Sequence, residues 1–108
     1  VDVDGVLGRI VDMLHCHESQ FYEWLPFNTG RLGEVPAAAG RRAWLAEWVR
    51  PRLEMQAERY RELLVRDYGR ERGEKVRCAE AFEPCEYGAP FDEAARRRLF
   101  GFLSGPHA

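Results

Sequence analysis

The densest run of chemically capable side chains is Leu14-His15-Cys16-His17-Glu18-Ser19-Gln20. Two imidazoles and a thiol are zinc donors, and Cys78 or Cys85 would complete a tetrahedral set with His15, Cys16 and His17. Spacing argues against that site. On a helix, side chains two residues apart point about 200° from each other, so His15 and His17 cannot converge on one ion. Neither C-x-x-C nor H-x-x-x-H occurs. A Cys16–His pair for nucleophilic catalysis fails in the same way, because adjacent helical residues diverge.

Other motifs are weaker. Gly69-Arg70-Glu71-Arg72-Gly73 lacks both the pattern of a phosphate-binding loop and a strand before it. Arg96, Arg97 and Arg98 read as a solvated helix face opposite Leu99 and Phe100. His17 has two readings. It is either a buried histidine tied to a neighbouring carbonyl or carboxylate, or a polar group lining a pocket together with Ser19 and Gln20.

These side chains depend on the elements that carry them. Leu7, Ile10, Leu14, His17 and Phe21 recur at spacings of three and four, which predicts an amphipathic helix to about Gln20 with His17 on its apolar stripe. Asp4 is the expected N-cap, and Val1 to Val3 an expected strand end. Residues 28 to 40 read as a loop. From Arg41 to Tyr68 a long helical pattern buries Leu45, Val49, Leu53, Ala57, Tyr60, Leu64 and Tyr68, widened by Trp44 and Trp48. Glu62 and Arg66 stand at the spacing of a helical ion pair. Pro51 predicts a kink, or two helices meeting at Arg50. Gly69 is placed to end the pattern, Val76 to Phe82 to form a short strand, and Asp92 to cap a last helix through Leu103. The expected fold is mainly α, with one or two short strands, in a single unit over residues 1–108.

Composition narrows the function. At 45% hydrophobic and 31% charged, with three Trp, the chain has the make-up of one globular domain. A net charge of -2 creates no field to attract nucleic acid or an acidic membrane. No run approaches the roughly 18 apolar residues of a membrane span. Three cysteines are too few for a secreted disulfide scaffold, so reduced thiols and a cytoplasmic location are expected. The chain opens on Val1 with residues that already read as structured, as expected of a segment of a longer protein.

The order of the segments resembles the C-terminal part of the PIG-L/LmbE-like deacetylases. The resemblance is carried by Val1-Asp2-Val3, by His17-Glu18-Ser19-Gln20, which matches the family's H-x-S-Q, by Phe21-Tyr22-Glu23-Trp24-Leu25-Pro26, and by Ala79-Glu80-Ala81-Phe82. It spans nearly the whole chain. One departure is Ile10, where relatives often place a lysine about seven residues before the motif's histidine.

The resemblance implies a C-terminal fragment of a Rossmann-like α/β fold. The whole protein would then remove acetyl groups from N-acetylated sugars or related natural products. Family members hold one zinc through two His and one Asp, with a neighbouring Asp as base, in an H-P-D-D motif and a later H-x-x-H-type motif. This sequence has neither, so the resemblance assigns it no catalytic residue and no metal ligand. His17, Ser19 and Gln20 become pocket-wall or outer-sphere residues. Zinc is expected only in the full-length protein, and the partner is the N-terminal α/β portion of the same protein. The faces Leu7-Ile10-Leu14 and Phe21-Trp24 should then be partly uncovered here. The competing reading is a small helical interaction module with no enzymatic role.

Overall fold

The apolar spacing of the first residues does build a helix, α1 (Leu7–His15), entered through a 3-10 turn at Asp4–Val6. The computed structural model describes residues 1–103, and these are mainly helical. Leu7 and Ile10 pack against Val3, Leu53 and Cys78, while Val11 is buried with Tyr22 and Leu45. The helix stops at His15, short of the expected Gln20. Cys16 and His17 form a corner in which the His17 N–H reaches back to the Leu14 carbonyl at 3.0 Å.

Beyond the corner the backbone takes a wide π-helical turn, Gln20–Trp24, that runs into α2 (Leu25–Asn28). Pro26 explains the width. In a regular α-turn its ring would press on the carbonyl four residues back, that of Tyr22. Here the Leu25 N–H bonds instead to the Gln20 carbonyl, five residues back. Gly30, at φ 69°, reverses the chain after α2, and a 3-10 turn at Leu32–Glu34 leads on to the next helix.

That helix, α3 (Ala38–Arg59), carries the core stripe as expected, with Leu45, Leu53 and Ala57 buried. It runs through Pro51 without ending, so two helices do not meet at Arg50. Pro51 and Glu47 both lie on the exposed face, where water can bond the Glu47 carbonyl that proline leaves free. The break falls instead at Tyr60, which separates α3 from α4 (Arg61–Tyr68). This turn lets Leu64 join Ala57, Val76 and Ala79 in one buried cluster. The expected Glu62–Arg66 pair gives way to Arg66–Asp67 at 2.8 Å.

Gly69, at φ 80°, ends α4 as expected, and α5 (Arg70–Gly73) doubles back against it. The Arg61 guanidinium secures the return with bonds to the Gly73 and Val76 carbonyls, both at 2.7 Å. Val76 to Phe82 is not a regular strand. One antiparallel bridge, Asp2 with Ala79, is flanked by bonds between Val1 and Glu80 and from the Val3 N–H to the Cys78 carbonyl. On its other side the Ala79 N–H reaches the Leu53 carbonyl of α3 at 3.1 Å, an approach that the small Ala57 side chain permits.

Asp4 does not cap α1 with its side chain. Its carboxylate crosses to the 77–78 backbone instead. Asp92 does cap the last helix, α6 (Glu93–Phe100), accepting the Ala95 N–H at 2.8 Å. Arg97 and Arg98 are exposed as expected. Arg96 turns inward to Asp67, and Leu99 is 56% exposed rather than packed. No helix among the described residues is long and apolar enough to cross a membrane.

Candidate functional site

The corner between α1 and the π-helical turn presents the His17-Glu18-Ser19-Gln20 segment. Its two ends are tied together. His15 Nδ1 and the Tyr22 hydroxyl lie 2.6 Å apart, with the ring planes at 75°. Tyr22 is 2% exposed, and burial pushes its phenol pKa up, which favours the neutral hydroxyl at the Nδ1 contact. The Arg41 guanidinium covers the Tyr22 ring at 5.0 Å and comes within 3.7 Å of the Glu18 carboxylate. Phe21 lies edge-on to Trp48 at 6.3 Å. Residues of α3 thus hold the corner from beneath.

Ser19 and Gln20 open on a shallow groove of about 790 Å³, walled by Glu23, Trp24, Phe27 and Leu32. Gln20, Trp24 and Phe27 share a helical face at spacings of four and three. Trp24 is 56% and Phe27 69% exposed, so the groove offers aromatic surface beside an amide and a hydroxyl. Such a surface can stack a flat apolar face while hydrogen-bonding its polar edge. Of the docking faces expected to be uncovered, Trp24 is open. Phe21, Leu7, Ile10 and Leu14 are half-buried.

His17 stands apart from its two companions. Its side chain is exposed and does not line the groove. The expectation of a place on the apolar stripe fails because the helix has already turned. His17 contributes through its carbonyl, which accepts the N–H groups of Gln20 at 3.1 Å and Phe21 at 3.0 Å. His15, expected to point away, is the histidine with a partner.

Among the described residues the donors of the corner do not gather as zinc ligands. His15 Nδ1 is engaged by Tyr22, and among the described residues no three His, Cys, Asp or Glu side chains converge. The Cys16 thiol turns back to the Asp12 carbonyl at 3.3 Å and makes no nucleophile pair with either histidine. Asp12 is held by Arg42 at 2.6 Å, a hydrogen bond that lowers its pKa. Cys78 is buried, and burial pushes its thiol pKa up, the opposite of what a reactive cysteine needs.

A second groove, of about 830 Å³, runs between α4 and the 79–103 region, with Tyr60, Asp67, Phe82, Phe91 and Phe100 along it. Asp67 is neutralised there by Arg66 and Arg96, at 2.8 and 3.2 Å. Sequence reasoning missed Tyr22 and Arg41 as supports of the corner, since both act across a tertiary contact. Trp24 and Phe27 were readable from their spacing to Gln20. No protein-family profile, curated protein or solved structure matches this chain.

Proposed function

We propose that this chain is the C-terminal part of a PIG-L/LmbE-like hydrolase that removes acetyl groups from N-acetylated sugars or related natural products. In that reading it contributes pocket wall and fold stability and is inactive alone. The observation that carries the reading is the presentation of the H-x-S-Q segment. Ser19 and Gln20 emerge from a corner braced by α3 onto a groove with aromatic walls. An acetamido sugar has the matching chemistry, with polar edges for the hydroxyl and amide and a C–H face for Trp24 or Phe27.

Hydrolysis of an amide by the family's chemistry needs a Lewis acid and a positioned base. The family's motifs for both are absent from this sequence, so they would come from an N-terminal α/β portion, in a Rossmann-like whole. Reduced thiols suit a cytoplasmic location for it. The test is to join an α/β portion carrying H-P-D-D ahead of Val1 and to assay zinc-dependent deacetylation. Activity of the joined protein that is lost on replacing Gln20 supports the reading. A folded joined protein with no activity rejects it.

The second reading, a helical interaction module, is favoured by a different observation. Phe82, Tyr87 and Phe102 are 64%, 90% and 67% exposed, far from the Ser19–Gln20 groove in sequence. The module reading expects these aromatics to be protected on partner binding, with no amidase activity under any fusion.

A further inference from the structure

We infer that His15 and Tyr22 are positioning residues for the Ser19–Gln20 groove, and that the hydrogen bond between them sets where those two side chains face. The inference rests on the reading of that groove as a ligand-facing wall. Three observations carry it. The bond at 2.6 Å joins residues seven apart in sequence across the whole corner, tying the last residue of α1 to the π-helical turn. The Tyr22 ring is packed against α3, with Trp44 at 6.2 Å and the Arg41 guanidinium at 5.0 Å. Tyr22 also points to the side of its turn opposite Gln20 and Trp24, being buried where they are exposed. Rotation of the turn therefore moves all three together.

The corner is also held by backbone bonds at His17 and by the packing of Phe21 on Trp48, but its ion pair is slight. Glu18 and Arg41 approach only to 3.7 Å, and the Glu18 side chain is 70% exposed, which makes a weak tie. The turn's width adds to the need for a brace, since π-helical turns occur mostly as single turns inside other helices and often at functional sites. A buried hydroxyl without a partner would be costly, so the Tyr22 hydroxyl keeps its bond only while the corner holds its geometry.

The chemistry of the tie makes it testable in the chain as it stands. An asparagine at position 15 would place a polar amide atom near where the imidazole has Nδ1, whereas leucine offers bulk and no hydrogen-bonding atom. Amide hydrogen exchange would be followed across the chain for Tyr22→Phe, His15→Leu and His15→Asn. Tyr22→Phe and His15→Leu should speed exchange at residues 20–25 about 3- to 10-fold, the worth of one net hydrogen bond. Exchange in α3 and α4 should stay unchanged, and His15→Asn should restore most of the protection. Equal exchange for His15→Leu and His15→Asn would overturn the inference by showing that bulk alone matters. A uniform rise through α3 and α4, or no change at residues 20–25, would overturn it as well. If His15→Leu fails to fold, Tyr22→Phe against His15→Asn still decides. These results stand whether or not a joined protein deacetylates, so this inference and the proposed function can fail separately.

Discussion

Asp4 receives the backbone N–H of Cys78 on one carboxylate oxygen at 2.7 Å, and the N–H of the preceding Arg77 on the other at 3.0 Å. A residue placed to start the first helix thus acts as a bracket between the N-terminal segment and the 77–78 backbone. It fastens the returning backbone beside the Asp2–Ala79 bridge and below the Val3, Leu53 and Cys78 cluster.

Asp4→Ala should therefore destabilise the chain by about 1–3 kcal/mol, since a buried amide at Cys78 loses its acceptor. Asp4→Asn keeps one acceptor oxygen and should cost about half as much. Urea unfolding of the two variants measures both. A loss for Asp4→Ala no larger than a helix-cap substitution on the exposed surface would show that water replaces the bracket.

Gly73 is a position where only glycine fits. A Cβ there would lie 2.5 Å from the Val65 Cα and 2.6 Å from its nitrogen, and backbone cannot move aside as a side chain can. Gly73→Ala should cost roughly 3 kcal/mol or more by forcing α5 off α4. Gly8, inside α1, has nothing within 4 Å of its Cβ position. Gly8→Ala should instead stabilise by about 0.5–1 kcal/mol through helix propensity. The opposite signs are checked in one set of melting curves.

Much of the helical frame was legible because it depends on local spacing. The stripe from Leu45 through Leu53, Ala57 and Leu64 is buried as its periodicity predicts, and Gly69 and Asp92 end and begin helices by their own backbone and side-chain chemistry. What was not legible depends on partners distant in sequence. Nothing near Cys16 marks the end of α1, whose corner is held by Tyr22 docking on Trp44 and Arg41. Pro51 is tolerated because its face is exposed, while Tyr60 turns the chain with neither proline nor glycine. At the site, Ser19 and Gln20 lie on one groove, an arrangement local to their own turn. His17 was misplaced by the same uncut helix that hid the role of His15.

The thiols and phenols give the alkaline limb of stability a definite sign. Burial raises the pKa of Cys78, Tyr22 and Tyr68 above their ordinary values. Each is neutral when protonated, so its folded pKa exceeds its unfolded one. The native state then holds more protons, and stability falls as pH rises. The loss should begin near pH 8.5, where an unfolded thiol starts to ionise, and steepen around pH 10 with the phenols. Cys78→Val should flatten the first part only, as seen in urea midpoints between about pH 7.5 and about pH 10.5. Alkylation gives an independent check, because Cys16 and Cys85 are exposed and Cys78 is buried. Two thiols should react quickly, and the third only at the rate of unfolding.

The two histidines of the corner should differ in the direction opposite to the one their helical spacing suggests. His15→Ala removes the hydrogen-bond partner of the hydroxyl on Tyr22, a residue only 2% exposed. The expected cost is about 1–3 kcal/mol. His17→Ala removes an exposed imidazole and leaves its carbonyl, which carries the bonds to Gln20 and Phe21, in place. Its cost should stay within about 0.5 kcal/mol, as for an ordinary surface change. Urea unfolding of the isolated chain separates the two. In a protein joined to its α/β portion the same pair asks a further question. If His17 meets the pocket only there, His17→Ala should lower deacetylation without lowering the stability of this chain, while His15→Ala lowers both. Equal stability losses for the two variants would mean that the imidazole at position 17 has a structural partner of its own. No loss from His15→Ala would mean that Tyr22 does not depend on it.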